Sequence, residues 1–180
     1  MSPYPICTVG HSNRTLKDFA GLLRAGEVQL VVDIRTVPRS RHNPQFNAGD
    51  IEDGLRPHQI GYTRIAELGG LRGRSKTVTP EVNAFWTHAS FHNYADYALS
   101  AEFRTGLGRL LGLADERRVA IMCSEAVWWR CHRRIVSDYL LAAGREVLHL
   151  MGADRIEPAR LTAGAVPARD GIRYPPTSPG

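Results

Sequence analysis

No stretch of about 18 uninterrupted apolar residues occurs in this chain, so no segment reads as a membrane-crossing helix. The residues from Met1 to Val9 lack a basic start followed by a long apolar run, so a secretory signal is not expected. There is no internal repeat, no glycine-rich dinucleotide fingerprint and no phosphate-loop lysine motif, so neither nicotinamide nor ATP, nor any other cofactor, is expected. Cysteine is scarce. Cys7, Cys123 and Cys131 are an odd number in 180 residues and make no disulfide framework, which points to a reducing, cytoplasmic setting.

What is present fits one globular domain. Apolar residues make up 43% of the chain, enough for a substantial core. The net charge is +5 with histidine neutral and the sequence pI is about 9.4, which favours anionic partners: a nucleic acid or a phosphorylated nucleotide. Oligomeric state is not legible.

Short apolar runs alternate with segments of helical spacing. Pro5 to Val9 reads as a strand ending at Gly10, and Ser12 or Asn13 as the cap of a helix carrying Leu16, Phe19, Leu22 and Leu23, closed by Gly26. Val28 to Ile34, Tyr62 to Glu67, Arg118 to Cys123 and Glu146 to Leu150 read as further strands. Glu102 to Leu113 and Cys131 to Ala143 read as helices, with Gly144 stopping the second. Such alternation predicts an α/β fold: a mainly parallel open sheet flanked by helices in three layers, Rossmann-like, over residues 1–153. Residues 154–180 carry five prolines and little period, and read as a tail that packs loosely or crosses the surface.

In open parallel sheets, ligands sit beyond the carboxyl ends of the strands. The polar residues of this chain gather at those predicted ends. Gly10-His11-Ser12-Asn13 forms a strand-to-helix turn able to receive an anion. Asp33 and Arg35 end the second strand and are followed by the loop Pro38-Arg39-Ser40-Arg41-His42-Asn43-Pro44, whose guanidinium groups suit phosphate. Glu67-Leu68-Gly69-Gly70-Leu71-Arg72 offers close backbone approach with charge. Cys123-Ser124-Glu125 ends a strand, and Cys131-His132-Arg133 opens a helix whose dipole favours a thiolate. Between these two groups Trp128 and Trp129 could stack a base or simply fill core, and one of them is expected to be exposed. Cys123, Cys131 and His132 match no common zinc spacing, and no metal is expected.

Taken together these motifs resemble the bacterial family called domain of unknown function 488. The resemblance is carried by Thr8 to Asn13, Val32 to Arg35, Pro38 to Phe46, Glu67 to Gly70, Tyr94 to Tyr97, Met122 to Glu125 and Cys131 to Arg133. It covers roughly residues 6 to 152 and implies a compact α/β fold.

Three functions compete. The first is an enzyme on nucleic acid or nucleotides, for instance a DNA glycosylase of the hydrolase class. There Asp33 or Glu125 would activate water and steady the sugar cation, and His11 or His132 would protonate the leaving base. The second is a cysteine-dependent, rhodanese-like or phosphatase-like enzyme with Cys131 as nucleophile and Arg133 beside it, although the usual Cys-x5-Arg cradle is absent. The third is a binding module for an anionic ligand, without catalysis.

Overall fold

The computed structural model describes residues 3–177. Parallel strands β1 (Ile6–Gly10), β2 (Leu30–Asp33), β3 (Gly61–Arg64), β4 (Val119–Cys123) and β5 (Val147–Gly152) are joined by an antiparallel edge strand β6 (Arg155–Pro158), in the order β3-β2-β4-β1-β5-β6. Helices α1 (Leu16–Ala25), α2 (Ala48–Leu55), α3 (Ala89–Tyr97), α4 (Ala101–Glu116) and α5 (Arg133–Ala142) cover the sheet.

The two-residue period of a strand sorts the side chains into two cores. Val31, Ala120, Met122, Cys7 and Val9 face α1 and α2 in one cluster with Phe19, Leu23, Ile51 and Leu55. Val32, Val119, Ile121 and Ile6 face α4 and α5 in the other, with Phe103, Leu110, Ile135 and Leu140. The result is a three-layer α/β/α arrangement, and burial on both faces is why the strand segments read as nearly continuous apolar runs.

Topology places the site. The β1 chain leaves through α1 toward β2, and the neighbouring β4 chain leaves through α5 toward β5, on the opposite face. Two adjacent strands whose connections diverge leave a crevice at their carboxyl ends. Gly10-His11 and Cys123-Ser124 stay paired past the strand ends, with the His11 amide donating to the Cys123 carbonyl (3.0 Å) and the Ser12 amide to the Ser124 carbonyl (2.9 Å), so the open space lies on the β2 side of β4.

Two details differ from the sequence-based expectation. The cap of α1 is Thr15, whose hydroxyl accepts from the Asp18 amide, not Ser12 or Asn13. Ser12 instead takes a left-handed conformation (φ 47°) in a turn bonded to the Ser124 carbonyl, so its side chain cannot cap the helix. The segment after residue 153 is no loose tail. β6 completes the sheet, and a hairpin β7 (Val166–Ala168) and β8 (Gly171–Arg173) leads to Tyr174, which is wholly buried. Its hydroxyl donates to Asp138 (2.7 Å), and Asp138 also accepts from the Thr162 amide (2.8 Å). Strands of three or four residues carry too little periodicity to be read, yet a single buried tyrosine is enough to bind the segment to the core.

Candidate active site

A cleft of about 290 Å³ opens beyond the carboxyl ends of β2, β3 and β4. Its lining includes Arg35, Arg39, Gly70, Cys123, Ser124 and Glu125, together with Arg130, Cys131 and His132. Thr36, Val37, Leu71, Ser90 and Phe91 complete the wall and give it an apolar side.

The expected residues divide sharply. Asp33 lies behind the wall, with no exposed surface. Arg35 forks onto it through Nε (2.9 Å) and Nη2 (2.7 Å), the Arg35 amide donates to it (3.0 Å), and the Tyr62 hydroxyl donates at 2.5 Å. All its accepting positions are thus engaged, so Asp33 positions Arg35 and has no free lone pair for a water molecule. The reason is the strand period, which turns Asp33 toward the α1/α2 face with Val31, while Arg35, beyond the strand, reaches the cleft.

His11 is also a positioning group. Its Nδ1 hydrogen-bonds the Ser12 carbonyl (2.8 Å), so Nε2 carries the lone pair and accepts from Arg35 Nη1 (3.2 Å). The ring stacks on Phe46 with centroids 4.5 Å apart. Burial, and then the nearby Arg35 charge, hold His11 below the usual histidine range against the pull of the Ser12 carbonyl, which keeps it neutral.

Several expected binding residues fall outside the lining. Ser12 and Asn13 belong to the turn beside it, Arg41 and His42 are exposed, and Asn43 starts a short 3-10 turn. Arg72 is spent on local structure: it donates to the Gly69 and Ala66 carbonyls and lies 3.7 Å over the Tyr97 ring. Gly69 packs against Thr36, while Gly70 does reach the cleft, where a Cβ would come within 2.5 Å of His132 Nδ1. Trp128 stacks on His149 (4.6 Å between centroids), and Trp129 is 41% exposed beside Arg130. Among the described residues no group of three or more histidine, cysteine or acidic side chains is arranged to hold a metal.

Residues 15–140 match the family described as Domain of unknown function DUF488. The chain belongs to that family. No curated protein and no solved structure matches the chain. The DUF488 span opens at the cap of α1 and closes inside α5, so it holds every residue of the cleft lining.

The chemistry of this DUF488 chain centres on Cys131-His132-Arg133. Arg133 is fully buried, and the partners of its guanidinium are the Thr8 hydroxyl (3.1 Å) and the Glu125 and Ala126 carbonyls (2.8 and 3.5 Å). None of these is a carboxylate, and Arg133 Nε has no hydrogen-bond partner among the described residues. A buried cation without a counter-ion is costly. The charge that can answer it is a thiolate. Cys131 accepts the Arg133 amide at 3.4 Å, on the first turn of α5. Burial opposes ionisation of Cys131, but the Cys123 thiol, the Arg133 charge and the Arg133 amide outweigh it, and its pKa falls from 9.0 to about 7. Cys123 moves the other way: burial, and then its hydrogen bond to Cys131, push it well above the ordinary thiol range.

His132 completes the pair. Its Nε2 lies 2.8 Å from the Ile34 carbonyl, so that nitrogen carries the proton, and Nδ1 faces Cys131 Sγ at 3.4 Å as an acceptor. Burial lowers its pKa and keeps the ring neutral. A nucleophile, an adjacent base and a third group orienting that base is the arrangement of activated thiols. Behind them Thr8 and His149 went unrecognised in the sequence. Arg133 donates to Thr8 Oγ1, and the Thr8 hydroxyl is hydrogen-bonded in turn to His149 Nδ1 (2.6 Å). A threonine within an otherwise apolar strand was the available signal.

Proposed function

We propose that this protein is a thiol-dependent enzyme in which the Cys131 thiolate attacks a small electrophile carrying an anionic group. The observation that carries the reading is Arg133, a buried guanidinium with no carboxylate among its partners, whose backbone amide donates to the sulfur of Cys131. His132 Nδ1 accepts the thiol proton, and the thiolate faces the cleft. Arg39 and Arg130 are exposed at the rim without a carboxylate partner among the described residues, and suit a phosphate, sulfonate or carboxylate on the substrate. The apolar wall of Phe91, Leu71 and Val37 suits the rest of the molecule. A phosphorylated nucleotide belongs to this class, and Trp129 beside Arg130 offers it a stacking face.

The carboxylate route to base excision is the weaker reading. Of its two candidate acids, Asp33 has its oxygens taken by Arg35 and Tyr62, which leaves Glu125 alone in the cleft. The two readings separate in one experiment. Wild type, Cys131→Ser and Glu125→Gln are assayed on aryl phosphates, thiosulfate and base-modified oligonucleotides. Turnover of a small anionic substrate that vanishes in Cys131→Ser supports the thiol. Base release that survives Cys131→Ser and is lost in Glu125→Gln overturns it.

A further inference from the structure

We propose that Cys123 is the resolving thiol of Cys131 and that the pair reduces hydroperoxides, passing through a Cys123–Cys131 disulfide. The inference rests on Cys131 being the nucleophile and adds the class of its electrophile. A cysteine that forms a phosphoryl or acyl adduct needs water to release it, and a second thiol has no task. Two-electron chemistry is different, because a second thiol ends the cycle.

The fold puts that second thiol in place. Cys123 closes β4 and Cys131 precedes α5, and both line the same cleft. They share one polar hub: the Cys123 thiol donates to the Glu125 carbonyl (3.7 Å), the same oxygen that takes Arg133 Nη2 (2.8 Å), while the Arg133 amide holds Cys131 Sγ (3.4 Å). Burial holds the Cys123 thiol well above the ordinary thiol range, so it stays protonated until Cys131 is oxidised. Cys7, the remaining thiol, faces the opposite core beside the Gly26 carbonyl and lies outside the cleft.

The steps balance. The Cys131 thiol gives its proton to His132 Nδ1, and its sulfur attacks the outer oxygen of ROOH. The O–O bond breaks, an S–O bond forms, and the alkoxide takes the proton back from His132 and leaves as ROH. Cys131 is then a sulfenic acid. The Cys123 sulfur attacks it, the S–O bond breaks, and the thiol proton leaves with the hydroxyl as water. One hydroperoxide is reduced by two electrons and two thiols are oxidised to one disulfide. A low-molecular-weight thiol, two equivalents per cycle, restores both. Arg39 and Arg130 at the rim favour hydroperoxides that bear an anionic group.

The test uses the reduced, full-length protein and one equivalent of hydrogen peroxide, followed by thiol counting and peptide mass mapping. Two thiols disappear, a Cys123–Cys131 cross-linked peptide forms, and Cys7 stays free. In Cys123→Ser, with Cys123→Ala as a second variant should the first not fold, one thiol disappears and dimedone captures the Cys131 sulfenic acid. Added small thiol sustains peroxide consumption in wild type. Wild-type protein that accumulates Cys131 sulfenic or sulfinic acid while Cys123 remains alkylatable overturns the proposal. Iodoacetamide at neutral pH, run in parallel, separates the failures. Rapid alkylation of Cys131 without a cross-link defeats this inference alone, and an inert Cys131 defeats the nucleophile reading as well.

Discussion

Replacing Arg133 with methionine keeps most of the side-chain volume and removes the charge, which makes it the sharpest probe of why Cys131 ionises. The thiol titrates at about 7 in place of 9.0, a shift of about two units. At about 1.4 kcal/mol per unit this is a preference of roughly 3 kcal/mol for the thiolate. Burial by itself would push the thiol upward, and losing the Arg133 side chain leaves only the Cys123 thiol and the backbone amide of residue 133 to oppose it. The midpoint should then rise by a unit or more, and the thiolate fraction at neutral pH should fall from about a half toward a few per cent. Ultraviolet thiolate absorbance against pH reads this directly, because Cys7 is pushed up to about 11 and Cys123 well above its ordinary range. Stability gives a second readout. The folded thiol has the lower pKa, so its contribution is complete above about pH 9 and is lost as pH falls through about 7. At pH 8 wild type should owe it about 1 kcal/mol, absent from a Cys131→Ala variant. Arg133→Lys, which keeps the charge, should retain part of the depression. An unchanged midpoint in a folded Arg133→Met protein would refute the reasoning.

Asp33→Asn strands the Arg35 charge inside the protein and should cost about 3–5 kcal/mol in denaturant unfolding, with the Cys131 midpoint little changed. Gly70→Ala drives a methyl into the His132 ring, and should cost about 1–3 kcal/mol and slow alkylation of Cys131 near neutral pH. Tyr174→Ala should cost about 3–5 kcal/mol, like other large-to-small changes at fully buried aromatics, which a loosely attached tail would not show. His149 is held down at about 4 by burial and by Arg133, so its contribution is complete above about pH 6.5 and is lost as pH falls toward 4. Urea unfolding of wild type and His149→Leu across that window should show a shallower pH slope in the variant.

How much of this was legible varies from residue to residue. The doubly covered strands were plain, since Val28 to Ile34 and Arg118 to Cys123 have no polar alternation to hide them. Cys131-His132-Arg133 also stood out, and its place at the start of α5 followed from the helical spacing of Ile135, Tyr139 and Leu140. Which way a polar residue faces was harder. Asp33 falls two residues after Val31 and so shares its face, but at the end of a strand the chain is free to turn, and only coordinates place Arg35 between the carboxylate and the cleft. Thr8 and His149 escaped notice because their roles pass through a third residue, Arg133, distant in sequence from both. The glycine requirement at Gly70 comes from the His132 ring, a contact no local pattern encodes.

The central claim is a reactive Cys131 thiolate inside a cationic cleft. Residue-resolved alkylation with iodoacetate and with neutral iodoacetamide, near neutral pH, tests both halves together. Cys131 should be the first thiol modified, and iodoacetate should lose several-fold in rate relative to iodoacetamide when Arg39 and Arg130 are both changed to serine. Modification of Cys7 ahead of Cys131, or a reagent ratio that ignores the two arginines, would contradict the account.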